Sequence, residues 1–269
     1  EPNNPKGLVG TTYIDVIPNY SYFLNYGGYV DTTGKRGIDK MIVESNYQNW
    51  DFTNIWTINP DTTFPYLRWQ GEPSEHNIAV YVKDIDNNHY LIAKIGNQEW
   101  MAENLKVEHY NNGDEISQPG TYPFWVPAQN STIQYEFGNY YQNGVVTDSR
   151  GICPQGWQVP RNDDWNELIT YLEGADVAGK KLKSIGQLGA TIWNNNTGDG
   201  STLFNAFPAG HVMDGMDYMD YGFEARFWSK DLYDLPNGYC YKLSNNNDSI
   251  VTEHFGYERA LNVRCVKIQ

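Results

Sequence analysis

The period of the apolar positions switches once, sharply, within residues 151–174. The first half, Cys153-Pro154-Gln155-Gly156-Trp157-Gln158-Val159-Pro160, holds prolines and a glycine that a helix interior excludes. It reads as a short strand carrying a cysteine. Trp165, Leu168, Ile169 and Leu172 then fall at i, i+3, i+4 and i+7, the apolar face of an amphipathic helix. Asn162 is a good N-cap, and Asp163 and Asp164 place negative charge where the helix dipole favours it. Gly174 is placed to end the helix. The pattern predicts a helix over 162–173 that packs its apolar face on the rest of the fold.

Elsewhere the alternation has period two. Ile78, Val80 and Val82, then Tyr90 and Ile92, flank Asp84-Ile85-Asp86-Asn87-Asn88, which predicts a β-hairpin over 78–95. The acidic string also suggests a calcium loop. An EF-hand needs glycine sixth and glutamate twelfth, and those positions are His89 and Ile95, so the turn reading prevails. Further strands are predicted at 223–228, 238–243 and 261–268, separated by polar loops at 214–222 and 244–249. A second, shorter helix is expected over 176–184, with a weak face of Val177, Lys180, Lys181 and Leu182. The sum is an α+β chain.

Residues 1–72 read as a small β module, joined to a main domain at 77–269 by a linker at 70–75. Trp50, Phe52, Ile55 and Trp56 are too many large apolar groups to leave exposed, so the module must dock on something.

Composition narrows the function classes. The net charge of -14 and pI ≈ 4.7 disfavour nucleic acid and anionic membrane as partners. No apolar run approaches the length that spans a membrane, so no membrane insertion is expected. Glu1 is not a methionine and no signal peptide follows, so a processed or truncated chain is expected. Three cysteines permit one bridge, and their spacing is not that of a zinc site. No serine elbow or phosphate loop is present, and His76, His89, His109, His211 and His254 are scattered. Asp217 and Asp220 sit in a loop without a defined partner for glycoside hydrolysis. We expect no enzyme activity and no cofactor or metal, with a structural calcium among the Asp-rich loops left open.

Three motifs carry a resemblance. Ile95-Gly96-Asn97-Gln98-Glu99-Trp100-Met101-Ala102-Glu103-Asn104-Leu105, the run from Cys153 to Gly174, and Val263-Arg264-Cys265-Val266-Lys267 resemble the Fibrobacter succinogenes major paralogous domain family. Phe204, Ala206 and Phe207 with Pro208-Ala209-Gly210 resemble a further core strand and turn of that family, with Asn205 where a small residue is common. The resemblance implies a bacterial surface domain with a C-type-lectin-like fold, extracellular or at the cell surface. In lectin-like folds the first and last strands lie side by side, which implies a Cys153–Cys265 disulfide and leaves Cys240 over. Gly7-Leu8-Val9-Gly10 and the aromatic run after Asn49 resemble the end of a glycine-leucine-glycine repeat adhesin. Gly156 to Leu168 also resembles formylglycine-generating enzymes, but their closely spaced cysteine pair is missing, since Cys240 and Cys265 lie far apart. The usual calcium–sugar motifs of lectins are missing too.

What remains is a binding surface. Tyr218, Tyr221, Trp228, Tyr233, Tyr239, Tyr241 and Tyr257, with Arg226, Arg259 and His254, crowd the last third of the chain. Tyr and Trp give contact area at low entropic cost, and the neighbouring Asn, Ser and Asp give adaptable hydrogen bonds. The expectation is a secreted or surface-displayed adhesin or receptor-binding module that takes a glycan or protein ligand there. Alternatives are a lectin-like enzyme, a structural cap of a repeat adhesin, or a protein whose loops are diversified by a retroelement.

Overall fold

The computed structural model describes residues 51–59, 63, 66–71, 81–117, 125–126, 137–184, 193, 198–214, 217–256 and 258–269. Residues 1–50 of the expected N-terminal module, most of the expected linker, and Tyr257 lie outside the described residues. In chain order the elements are β1 (Trp56–Thr57), β2 (Tyr66–Leu67), β3 (Tyr81–Lys83), β4 (His89–Ile95), β5 (Gln98–Met101), β6 (Trp125–Val126) and β7 (Tyr140–Gln142). Then come α1 (Asn143–Val146), β8 (Trp157–Gln158), α2 (Asn162–Tyr171), α3 (Ala175–Leu182), β9 (His211–Met213) and β10 (Asp217–Met219). The chain ends with β11 (Glu224–Asp234), β12 (Asn237–Ser244), β13 (Ile250–Phe255), β14 (Arg259–Leu261) and β15 (Val266–Lys267).

The fold is sheet-rich α+β. Strands β3-β4-β5-β15-β8 form one sheet, β10-β9-β14-β7-β6 a second and β11-β12-β13 a third, while β1 and β2 pair separately. Of the apolar groups expected to dock near β1, Trp56 is buried, Phe52 half-buried and Ile55 exposed, while Trp50 is outside the described residues. The predicted hairpin is present as β3 and β4, with Val82 opposite Tyr90. Its turn is built by Asp84, whose carboxylate accepts the backbone N–H groups of Asp86 (2.9 Å) and Asn88 (3.0 Å) and the hydroxyl of Tyr90 (2.6 Å). Two of the strand and loop boundaries differ from the expectation. The loop at 214–222 contains β10, and the predicted strand at 261–268 is split, since β14 and β15 belong to different sheets.

Helix α2 forms for the reasons its pattern gives. Trp165 and Leu168 are fully buried and Leu172 nearly so, against Trp100, Phe204, Phe227 and Tyr241. The indole of Trp165 stacks on Tyr241 with centroids 4.7 Å apart, and Trp100 lies 4.9 Å away on another side. Its ends differ from the expectation. Asn162 is the first helical residue and Arg161 the N-cap. The amide of Asn162 is satisfied from across the fold by Asp231 Oδ2 of β11 (2.8 Å), and Asp164 accepts the Arg161 amide (2.7 Å).

At the C-terminus the left-handed residue is Glu173 (φ 74), not glycine. Gly174 N–H reaches Ile169 O (2.9 Å) and Glu173 N–H reaches Thr170 O (3.1 Å), the two bonds of a Schellman motif. Glu173→Gly will therefore be more stable than Glu173→Ala by about 1 kcal/mol in urea denaturation. Both variants lose the ion pair of Glu173 with Lys181, so their difference isolates the backbone.

Helix α3 turns a different face inward from the one expected. Ala178, Gly179 and Leu182 are buried, while Val177 is exposed. Gly179 meets the loop before β13 so closely that an added Cβ would lie 2.3 Å from Ser249 O.

Cys153 and Cys265 are disulfide-bonded, with Cα atoms 6.0 Å apart. The pairing follows from β15 lying between β5 and β8: Val266 faces both Trp100 and Gln158. Cys240 is a free, buried thiol, and burial pushes its pKa up to about 12, so it stays protonated at neutral pH.

Candidate functional site

Helix α2 covers only part of one face of the β11-β12-β13 sheet. Because side chains alternate along a strand, Tyr239, Tyr241 and Leu243 share a face of β12, as expected from the pleat. Tyr241 and Leu243 lie in the core with Trp165, and the Tyr241 hydroxyl donates to Asn162 Oδ1 (3.3 Å). Tyr239 lies past the start of α2 and keeps partial exposure. His254 is directly opposite it on β13. Tyr233 is 51% exposed; it stacks on the His254 ring at 4.1 Å and meets Tyr239 edge-on at 5.4 Å. The β11–β12 hairpin runs on outward to Leu235 (85% exposed) and Pro236 at its turn, while Leu232, opposite Gly238, lies on the other face.

The structure thus sorts the sequence-predicted residues. Tyr233, Tyr239 and His254 come together on one accessible surface. Trp228 and Tyr241 do not: they are 0% and 2% exposed, and the Trp228 indole N–H donates to Tyr141 O at 2.6 Å. Both are core residues, which corrects their assignment to a ligand. Tyr218 and Tyr221 are half-buried, edge-on to Tyr140 (5.9 Å) and Phe137 (5.4 Å). Arg226 is buried and Arg259 half-buried, both against His211 in an ion cluster. The tip residues Leu235 and Pro236 were missed. Their signal was present in Leu235-Pro236-Asn237-Gly238, a turn sequence with an apolar residue where turns are polar.

In the core the C-terminal motif is built around one buried cation. Arg264 is 0% exposed, and its Nε and Nη2 donate to Asn104 Oδ1 at 3.0 and 2.6 Å. It also donates to the carbonyls of Phe204 and, at 3.4 and 3.5 Å, of Met101 and Asn205. The guanidinium lies 4.5 Å from the Phe204 ring centroid. Burial pulls its pKa down to about 9, with Glu103 acting in the opposite direction, so it remains charged at neutral pH. Asn205 supplies its carbonyl from a left-handed backbone (φ 49), a conformation asparagine tolerates better than most residues.

Arg264 thus joins the Trp100–Leu105 segment, the 204–210 segment and the chain end into one core. The sequence pattern of the Fibrobacter succinogenes major domain matches residues 93–267. The chain belongs to that family. No curated protein and no solved structure matches it.

The Fibrobacter succinogenes major domain of this chain holds one further charged arrangement that sequence reasoning missed. His211 of β9 is buried, with Arg226 Nη1 2.9 Å from its Nδ1 and the Arg259 guanidinium at its Nε2. Arg226 is countered by Asp220 (2.8 Å), Glu224 and Glu253 (3.5 Å). The Phe255 ring stacks on His211 at 6.0 Å and lies under Arg259 at 4.5 Å. No local pattern announces this cluster, because its members come from β9, β11, β13 and β14.

Burial, then the two guanidiniums, hold the His211 pKa down at about 4, with Asp220 and Glu253 opposing. The folded value lies below that of a free histidine, so the unfolded chain takes up the proton first as pH falls. The stability contributed is complete above about pH 6.5 and is lost as pH falls through about 4. Between pH 7 and 4 this group should remove about 2–3 kcal/mol from the wild type. His211→Gln should lose less over that range, by the same amount, in urea denaturation followed at each pH.

Among the described residues no group of three or more His, Cys, Asp or Glu could hold a metal ion. Among them, too, no helix is long and apolar enough to cross a membrane.

Proposed function

We propose that this chain is a surface-displayed binding module that captures a protein ligand with the aromatic end of the β11-β12-β13 sheet. The observation that carries the reading is the contiguous surface of Tyr233, Tyr239 and His254 with the projecting Leu235. A protruding hairpin of large apolar and aromatic groups is costly to leave in water, and such patches mark interaction sites. Leu235, 85% exposed at the hairpin turn, can enter a partner's groove, whereas small molecules are held in concave sites. Tyrosines are common anchors of such contacts.

The same reading takes the fold as C-type-lectin-like and the location as extracellular. Support comes from the pairing of β5 with the chain-terminal β15, from the disulfide beside it, and from the oxidising compartments in which disulfides persist. We take the domain to act by binding and not by turnover.

The test is capture from a panel of purified cell-surface proteins, comparing wild type with Tyr233→Ala/Tyr239→Ala. The double variant should lose at least about tenfold in affinity, as removal of two aromatic anchors implies, with an unchanged circular dichroism spectrum. Equal binding by both proteins would move the site off this sheet. Turnover of any offered substrate would overturn the non-enzyme reading.

A further inference from the structure

Tyr171 closes α2 at the end remote from that surface; ten residues of helix separate the two by about 15 Å. It is 61% exposed, although this domain buries most of its described aromatic rings. Its ring rests on the turn between β4 and β5. A Cβ added at Gly96 would lie 2.8 Å from Tyr171 Cδ2 and 2.9 Å from Cγ, and Gly96 has φ +62. Glycine there lets the aromatic ring lie directly on the backbone, held from below and open above.

A depression opens on each side of the ring. One, of about 400 Å³, is lined by Ile95, Asn97, Asn166, Glu167 and Thr170. The other, of about 300 Å³, is lined by Lys94, Glu173, Lys181, Ser201 and Thr202.

A sugar ring has an apolar C–H face and a rim of hydroxyls. The face packs on an aromatic ring without stranding a polar group, and the rim both donates and accepts. Amides, carboxylates and hydroxyls answer that rim in both directions. A single platform between two open depressions suits a ligand that continues past the ring on both sides. The net charge of -14, with Glu167 beside the ring and Glu173 already paired with Lys181, disfavours an anionic chain. We therefore propose that Tyr171 and its two flanking depressions form a binding site for a neutral polysaccharide.

Native affinity electrophoresis tests this, with gels containing glycogen, xylan or galactomannan, and polygalacturonate as the anionic probe. The wild type should be retarded by at least one neutral polysaccharide. Tyr171→Ala should weaken that retardation at least tenfold and Tyr171→Phe should preserve it, with melting unchanged in both. Tyr233→Ala/Tyr239→Ala should bind as the wild type does, which separates this site from the protein-binding surface. The proposal is overturned if no neutral polysaccharide retards the wild type, if Tyr171→Ala is retarded equally, or if only polygalacturonate acts.

Discussion

Arg264→Met is expected to lose at least about 4 kcal/mol of stability, enough to unfold a domain of ordinary stability. Methionine fills much of the volume but donates nothing. The Asn104 side-chain oxygen and the carbonyls of Met101, Phe204 and Asn205 would then be buried with their principal donor removed. Each buried acceptor left unsatisfied costs about 1–3 kcal/mol. Arg264→Lys keeps the charge yet has one nitrogen where the fork has three, so it cannot serve Asn104 and the 204–205 carbonyls together. It should fall between wild type and Arg264→Met. Urea denaturation of the three proteins ranks them, and a loss under about 1 kcal/mol for Arg264→Met would refute the account. Asn104→Ala should be strongly non-additive with Arg264→Met, because each variant already breaks the bond the other removes.

What the sequence disclosed of this fold follows the range of the interactions. The face of Trp165, Leu168 and Leu172 was legible because a helix encodes its buried side within two turns. The Asp84 turn was legible for the same reason, since its acceptors serve residues two to six positions away. The capping of Asn162 by Asp231 was not, because 69 positions separate them. Arg264 was visible only as part of a resemblance, and nothing local says that Asn104, 160 residues earlier, will hold it.

The candidate surface shows the same boundary. Composition disclosed a surplus of tyrosine in the last third, and the pleat put Tyr239 and Tyr241 on one face. Which of them is open depends on where α2 begins, and that is a tertiary fact: Tyr241 lies under Trp165 and Tyr239 does not. Trp228 points to the other face, whose covering comes from β7 through Tyr141. An aromatic-rich strand buried on both faces looks, in sequence alone, like one that is half exposed.

Cys153→Ala/Cys265→Ala should lose about 4–5 kcal/mol, the chain-entropy cost of opening a loop that spans 112 residues. The loss should be concentrated at the chain end. Strand β15 has two residues, and Val266 and Lys267 pair with β5 and β8 at only three positions. Without the bridge, few backbone bonds hold β15 between its neighbours. Arg264 is adjacent to Cys265, so fraying of β15 also loosens the buried guanidinium. The cysteine double variant and Arg264→Met should therefore be non-additive, with a combined loss smaller than the sum. A reductant should lower the melting temperature of the wild type and leave that of the double variant unchanged. Cys240 offers no substitute partner, since its thiol is buried between strands and held protonated. Peptide mapping without reductant should accordingly recover Cys153 joined to Cys265 alone, and recovery of Cys240 in a bridge would contradict the assignment.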